Sequence, residues 1–160
     1  MHTLTFANYR DVTVEQVKLL YLDKSLADFN YTINKISNTD YKITAYLNVF
    51  KEEVNDEDGI ILQLYSFHNN KYRLTPIQVA RKTCQFLNME WQYVKHNIKK
   101  YGNMPTSCPM KKGLYYVKDF IVYPATLPNL PWDNIRCDLN FTVNGRTTGA
   151  LQIFIKIDRN

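Results

Sequence analysis

The stretch ADFNYTINKISNTDYKITAYLNVF, residues 27–50, decides the fold. In residues 27–36 apolar side chains alternate with polar ones, and residues 41–50 repeat that period of two. Such alternation is typical of strands with one buried face. The intervening residues 37–40, SNTD, are turn formers. The stretch therefore predicts a β-hairpin whose inner face consists of Ala27, Phe29, Tyr31, Ile33, Tyr41, Ile43, Ala45, Leu47 and Val49.

Outward from this hairpin, four further segments show the same period: 59–67, 113–124, 135–143 and 148–158. Residues 12–21 are also strand-like, although their period is unclear. The residues NGR at 144–146 predict a tight turn between the last two strands. About seven strands with frequent turns, and no regular alternation of strands with helices, favour an antiparallel β-sandwich.

In the middle of the chain the period changes to that of a helix. Thr75 and Pro76 are a typical helix start, because the hydroxyl can cap the helix and the first helical position needs no N–H. Apolar residues then recur at helical spacing as far as Leu87, and a second such run extends from Trp91 to Tyr101. The pattern predicts an insertion of two short amphipathic helices between strands.

The composition limits the class of protein. The chain has 160 residues, including 12 Tyr and 8 Phe, and a net charge of +5. This length predicts one folded domain, and no window approaches the roughly 18 apolar residues that a membrane-spanning helix needs. The lysines cluster in mid-chain, which most often marks a solvated face; the alternative is contact with anionic lipid headgroups or an acidic partner. The first residues lack the apolar core of a secretory signal, so we expect either an intracellular protein or a mature domain whose signal has been removed.

The cysteines and two sequons bear on the cellular compartment. Cys84 lies on the inner stripe of the first predicted helix, and Cys108 lies between two prolines before a strand. A disulfide between them would tie helix to strand, whereas two reduced thiols would fit a cytosolic protein. Glycosylation sequons at Asn30 and Asn140 fall on the polar faces of strands, and together with the cysteines they favour the secretory pathway. Cys137 is expected to be a small buried hydrophobe; a mixed disulfide or a nucleophile are its alternatives.

No motif in the sequence indicates catalysis. His2, His68 and His96 stand in no metal-ligand spacing, and no nucleophile elbow, phosphate loop or Cys-x-x-Cys pattern occurs. We therefore expect a protein that is not an enzyme and that has no cofactor and no metal. Nucleic-acid binding is not expected either, because the charge is weak and the aromatic ribonucleoprotein signature is missing.

The second half of the chain resembles a known family. The segments PIQVARKTCQFL, EWQYVKHNIKKYGNMPTSCP, GLYYVKDFIVYP, LPNLP and TGALQIFIKI follow one another from residue 76 onward. In this order they resemble an arthropod family of small secreted proteins of unknown function. That family includes CheB-type chemosensory proteins, and it is similar to the ganglioside-activator and ML lipid-recognition proteins. The resemblance covers roughly the last 85 residues well and the first 70 only in strand order, and the chain lacks a further cysteine pair that the family usually has in its first half.

The resemblance implies a fold and a site. The fold would be mainly β, an antiparallel immunoglobulin-like, ML-like β-sandwich or β-cup with a two-helix insertion, and residues 1–160 would form a single ML-like lipid-binding domain. Cys84 and Cys108 would be a structural disulfide, and Lys95, Lys99 and Lys100 would be charges at the rim of the cup. The inner faces would line the cup through Phe29, Tyr31, Ile33, Tyr41, Ile43, Leu47, Leu62, Leu64, Phe86, Trp91, Ile98, Tyr116, Phe120, Leu139, Phe141, Leu151, Ile153 and Ile155.

The expected function follows from that cup. The 20 Tyr and Phe side chains exceed what a tight two-sheet core comfortably holds, so the sheets can splay around a cavity, unless the rings simply pack on one another. We expect a secreted, extracellular binder or carrier of a lipid or other hydrophobic small molecule, acting in chemosensation or lipid presentation, with a membrane receptor or channel as a further partner. The main alternative is an extracellular protein-interaction module with a solid core that docks on a receptor or channel. A small lipid hydrolase is the third hypothesis, and cavity volume separates the first two.

Overall fold

The fold is built from long antiparallel strands joined by short turns. The computed structural model describes residues 9–88, 100–122 and 130–159. Within these ranges the elements are β1 (Tyr9–Leu22), β2 (Ala27–Lys35), β3 (Tyr41–Val54), β4 (Asp58–His68), β5 (Lys71–Lys82), α1 (Thr83–Asn88), β6 (Met110–Val122), β7 (Asn134–Val143) and β8 (Arg146–Arg159). The protein is mainly β, as the sequence predicts.

Two antiparallel sheets make up the sandwich. The larger sheet has the strand order β1-β8-β7-β4-β5, and the smaller has the order β2-β3-β6. The predicted hairpin at 27–50 forms the β2–β3 pair, in which Lys35 lies opposite Tyr41. The predicted turn at Asn144 and Gly145 joins β7 to β8, and both residues have the positive φ that a two-residue hairpin turn requires. One predicted hairpin in each sheet, β2–β3 and β7–β8, is therefore confirmed.

The predicted helix from Thr75 is wrong. Residues 71–82 form β5, which pairs with β4 through a two-residue turn in which Asn69 and Asn70 both have positive φ, 51° and 66°. Pro76 is tolerated because β5 is an edge strand and the proline lies within an interruption of the β4–β5 ladder. In this part of the chain the helix is confined to α1, the one short helix whose full bounds lie among the described residues, and Lys100 and Tyr101 are also helical. Most of the second predicted helix, residues 89–99, lies outside the described residues.

The unclear period of residues 12–21 also has a structural cause. The register of β1 against β8 shifts three times, between Tyr9 and Asp11, between Val14 and Gln16, and between Leu19 and Tyr21. Each β-bulge inserts an extra residue and reverses which parity of side chain points inward. A strand with three bulges cannot show a clean alternation in its sequence.

Candidate functional site

One half of the sandwich is solid. The buried side chains of Tyr9, Val12, Leu64, Ile135 and Ile157 pack there as one hydrophobic cluster, together with Cys137. Partly buried apolar residues surround this cluster, namely Leu62, Ile77, Leu130, Trp132, Leu139, Ile153 and Ile155. Ile135 is only 2% exposed, which places its side chain in the packed interior of this half.

The other half of the sandwich contains a cavity of about 350 Å³ between the two sheets. It lies where β1, β3 and β7 end and where β2, β4, β6 and β8 begin, and its wall is overwhelmingly apolar. The wall consists of Leu19, Leu22, Asp23, Leu26, Ala27, Phe29, Leu47, Val49, Lys51, Val54, Asp58, Gly59, Ile60, Thr83, Phe86, Leu87, Met104, Met110, Phe141, Thr142, Val143, Thr148, Gly149, Ala150 and Leu151.

Residue size and orientation explain why this end is hollow. Ala27 contributes little side-chain volume to the wall, where the solid half has leucine and isoleucine. Three larger residues on the wall are partly turned to solvent: Phe141 is 39% exposed, Phe86 41% and Leu19 43%. Because these side chains do not reach the centre, the sheets enclose space rather than a packed core.

Helix α1 and the disulfide lie at the cavity. Cys84 in α1 is bonded to Cys108, with an S–S distance of 2.06 Å. Wall residues flank both cysteines in sequence, Phe86 after the first and Met110 after the second. Since α1 follows an edge strand of the large sheet and Cys108 precedes an edge strand of the small one, the disulfide ties the two sheets together beside the cavity.

Three charged residues, Asp23, Lys51 and Asp58, interrupt the apolar wall. Lys51 donates to Asp58 at 2.6 Å, and the side chains of both residues are mostly buried. Asp23 accepts from the Ser25 hydroxyl at 2.6 Å and lies 3.5 Å from Arg146. The hydrogen bonds from Ser25, followed by the nearby Arg146 charge, lower the pKa of Asp23 below its ordinary value. The charges on the wall thus have partners within the protein, and the rest of the wall suits an apolar ligand.

The structure brings five of the predicted cavity residues to the wall: Phe29, Leu47, Phe86, Phe141 and Leu151. Five others belong to the solid half instead: Leu62, Leu64, Leu139, Ile153 and Ile155. Their side chains are on the inner face, as the sequence predicts, but they lie farther from the cavity along strands that also contribute wall residues. Alternation identifies the face on which a side chain lies, whereas the level along the sandwich depends on how the two sheets stack.

Five other predicted cavity residues lie between the sheets but away from the cavity wall. Tyr41 is buried and donates its hydroxyl to Val12 O at 3.0 Å, and Tyr31 reaches Val17 O at 3.4 Å, so both link the sheets away from the cavity. Ile33 and Ile43 form a cross-strand pair beyond the wall, and buried Phe120 lies opposite Ile43.

Tyr116 cannot share a face with Phe120, because a bulge in β6 at Asp119, with φ 54°, separates them. Tyr116 lies instead against Tyr46 on the outer face of the small sheet. A bulge of this kind reverses the side-chain parity on its two sides.

Trp91, Ile98, Lys95 and Lys99 lie outside the described residues, and Lys100 is exposed. Several wall residues were missed by sequence reasoning, above all Leu22, Leu26, Val54 and Met104. They lie at strand ends or in loops, where no periodicity marks them. Their signal is only that they are apolar residues beside predicted turns.

Cys137 and the two sequons occupy different environments. Burial, followed by the nearby Asp138 charge, raises the pKa of the Cys137 thiol to about 11, so it is almost fully protonated and unreactive at neutral pH. Asn30 is exposed on β2, and Asn140 is partly buried on β7. Within the described residues no three His, Cys, Asp or Glu side chains converge in a way that could hold a metal ion. In the same part of the chain, no helix has the length and apolar character needed to cross a membrane.

The chain is similar to one protein family and to a solved structure. Residues 60–132 match the family model described as a protein of unknown function (DUF1091). No curated protein sequence matches the chain. Among solved structures, the chain is similar to the crystal structure of chicken MD-1 complexed with lipid IVa, with 15% identity, a TM-score of 0.49, and coverage of 97% of this chain and 99% of that one. At that identity and TM-score the likeness supports no statement about what this chain binds.

Proposed function

We propose that this protein is a non-enzymatic binder of a lipid or other hydrophobic small molecule. The observation that carries the proposal is the apolar cavity of about 350 Å³ between the sheets. Ligand pockets in proteins run from roughly 300 to 1,000 Å³, and an apolar wall favours an apolar ligand such as an acyl chain. The cavity lies beside the Cys84–Cys108 disulfide, which holds its wall in place.

The wider role in this proposal is that of a secreted, extracellular carrier, in chemosensation or lipid presentation, which delivers its ligand to a membrane receptor or channel. The disulfide supports the secretory route, because such bonds persist in oxidising compartments. The exposed sequon at Asn30 is compatible with the same route. We therefore expect the protein to be secreted with its hydrophobic ligand bound.

The alternative, an interaction module with a solid core, is the weaker hypothesis. It requires inward-pointing side chains to fill the interior along its whole length. Among the described residues, side chains fill the half built around Ile135, whereas the wall formed by Phe29, Leu47 and Phe141 borders a cavity. A cavity without a ligand would reduce stability with no compensating gain.

The test is to fill the cavity from one wall. Ala27 is a small wall residue on β2, so Ala27→Trp is expected to reduce affinity for a fluorescent fatty-acid probe by about tenfold or more, because the indole would occupy the ligand's space. Ala80→Trp, at an exposed position of β5 off the wall, is the matched control and is expected to bind like wild type.

A charge in the wall provides a second test. Phe141→Asp should abolish probe binding, since burying a carboxylate against an acyl chain is costly. Phe67→Asp, at a phenylalanine of similar exposure off the wall, should not. Circular dichroism checks that each variant is folded. If wild-type protein binds neither the acyl probe nor co-purifying lipid in native mass spectrometry, the proposal fails and the interaction module becomes the better account.

A further inference from the structure

The outer face of the small sheet carries an unusual row of side chains. Register places Asn30 of β2 directly opposite Tyr46 of β3, and Tyr46 directly opposite Tyr116 of β6. Directly opposed residues on one face have Cβ atoms about 5 Å apart. The sequon asparagine and two aromatic rings therefore form one continuous line across all three strands.

The two rings form a platform, which we define as Tyr46 and Tyr116. Their centroids are 6.4 Å apart, and the planes differ by 34°. The ammonium group of Lys118 lies 5.4 Å from the Tyr116 centroid and 6.0 Å from that of Tyr46. The other outer-face positions along β2 and β3 are mainly small and polar, such as Thr32 and Thr44. The platform is thus an aromatic surface with the Lys118 ammonium over part of it, and it starts one strand away from Asn30.

The Asn30 side chain is free to be modified. It is exposed, and among the residues that the structure describes none hydrogen-bonds it. Thr32 completes the sequon Asn-Tyr-Thr and is exposed as well. Asn140 differs in two respects: it is partly buried on a central strand, and its cross-strand neighbours are Ile61 and Ala150, which offer no ring.

We propose that Asn30 is N-glycosylated and that the first sugars of its glycan lie on the Tyr46–Tyr116 platform. In the attachment step the Asn30 amide nitrogen forms a bond to the anomeric carbon of an oligosaccharide. The donor is a lipid-linked oligosaccharide diphosphate, which leaves as the lipid diphosphate while the amide loses one proton, in a reaction catalysed by the host's oligosaccharyl transferase.

Physical chemistry favours this arrangement once the bond exists. A pyranose ring has an apolar face of C–H groups, and laying it on a tyrosine ring removes apolar surface of both from water. The hydroxyl groups at the edge of the sugar can accept from the Lys118 ammonium, which carries three donors. The attachment point fixes one end of the glycan within reach of the rings, so little entropy is lost on docking.

The experiment is a double-mutant cycle carried out in two hosts. Wild type, Asn30→Gln, Tyr46→Ala and the double variant are produced in an insect secretory host, which glycosylates, and in an oxidising bacterial compartment, which does not. Intact mass is expected to show a glycan in the secreted wild type that Asn30→Gln removes. Asn140→Gln shows which mass belongs to the second sequon.

Thermal unfolding provides the decisive readout. From the secretory host, Asn30→Gln should lower the Tm by about 2–4 °C, the shift expected for one aromatic contact in a chain of this size. In protein from the secretory host that also carries Tyr46→Ala, Asn30→Gln should leave the Tm unchanged. In bacterial protein, Asn30→Gln should change the Tm equally whether residue 46 is tyrosine or alanine. Tyr46→Thr, which keeps a strand-forming residue, serves as a second variant if Tyr46→Ala is not secreted.

Two results would overturn the proposal. One is an unmodified Asn30 in secreted wild-type protein. The other is a glycan-dependent Tm shift of the same size with and without the Tyr46 ring. Because the platform lies on the outer face, neither result bears on the cavity, and acyl-probe binding is expected to be unchanged throughout the cycle.

Discussion

The Tyr41 hydroxyl joins the two sheets at the solid end. It donates to Val12 O at 3.0 Å and accepts from Val14 N at 2.8 Å, and Tyr41 itself is buried. Val12 and Val14 belong to an edge strand of the large sheet, whereas Tyr41 begins the central strand of the small one. One phenol group thus satisfies two backbone groups that would otherwise lack partners.

Tyr41→Phe is therefore expected to destabilise the protein by about 1–3 kcal/mol, the cost of leaving buried polar groups unpaired. Urea unfolding followed by circular dichroism measures this loss. Tyr115→Phe is the control, because the Tyr115 hydroxyl donates to Lys111 O at an exposed site within its own strand. A change for Tyr41→Phe no larger than that for Tyr115→Phe would show that the inter-sheet bond contributes nothing.

A second residue-scale link, between Lys35 and Asp11, makes stability depend on pH. Lys35 Nζ lies 2.6 Å from Asp11 Oδ1. This hydrogen bond, more than the charge of Lys35, lowers the pKa of Asp11, and the same bond raises the pKa of Lys35. A carboxyl whose folded pKa lies below its unfolded pKa stabilises the fold at pH values above the unfolded pKa. It loses that contribution as the pH falls through the folded one.

We expect wild type to be more stable than Asp11→Asn at neutral pH. The difference should shrink below about pH 4 and vanish only when the pH is below the lowered pKa of Asp11 in the folded protein. Urea unfolding at a series of pH values measures the difference. Lys35→Gln breaks the same ion pair, so it should remove the same pH-dependent part of the free energy of unfolding. Since both groups are exposed, added salt should shrink the difference, and a difference that persists unchanged at low pH would contradict the assignment.

At the scale of elements, β5 shows how side chains support an irregular strand. Three residues of β5 lie between Leu74 and Gln78 where β4 has only Leu64. The buried Gln63 amide donates to Leu64 O, Thr75 O and Ile77 O at 3.0–3.1 Å, and the Thr75 hydroxyl donates to Leu64 O at 2.7 Å. The backbone carbonyls released by the interruption thus receive side-chain donors.

Gln63→Leu is expected to destabilise the protein by about 2–3 kcal/mol, because a buried leucine of similar size removes the amide donor from Thr75 O and Ile77 O, while Leu64 O keeps the Thr75 hydroxyl. Hydrogen exchange should increase first in the β5 amides, since β5 is an edge strand held on one side only. Gln78→Leu, at the exposed residue opposite Gln63, is the matched control and should change stability by about 0.5 kcal/mol or less. Equal effects of the two variants would contradict this account.

The same element shows why the helix prediction failed. Thr75 and Pro76 do form a helix start in many proteins, and helical spacing was present downstream. However, Ile77 and Val79 also alternate with exposed Gln78 and Ala80, so the segment was equally compatible with a strand. The Asn69–Asn70 turn signal was available in the sequence and would have favoured the hairpin.

At the scale of the whole molecule, the disulfide connects stability to the cavity. Cys84 and Cys108 are 24 residues apart, and closing a loop of that size stabilises a fold by about 3–4 kcal/mol in the chain-entropy estimate. Replacing both by alanine is expected to cause a loss of that order in urea unfolding. The double variant should also bind the acyl probe with lower affinity, because α1 and the start of β6 would no longer be held together beside the cavity wall.

Cys137→Ala is the control for this variant. It removes a buried sulfur from the solid half and leaves the disulfide intact, so some stability should be lost while probe affinity is retained. Unchanged probe binding after loss of the disulfide, in protein that is still folded, would show that the cavity wall does not depend on this bond.

The strands other than β5, the central hairpin and the β7–β8 turn could be predicted from sequence because they depend on local chemistry. A period of two follows from the geometry of a strand with one buried face, and positive φ at Asn-Gly is a property of those residues. The pairing of Cys84 with Cys108 was likewise predicted, from two cysteines in stiff positions and from the family resemblance. These features need only residues that are close in sequence or chemically distinctive.

Only the tertiary structure decided which half of the sandwich is filled and which is hollow. Phe141 and Leu139 have the same parity on one strand, yet the first lines the cavity and the second packs in the core. The difference depends on what the opposite sheet places at each level, where β2 has the small side chain of Ala27, and bulges in β1 and β6 shift the parity along the way. Packing is a property of residue pairs distant in sequence, so periodicity along one strand determines the face and sheet stacking determines the depth.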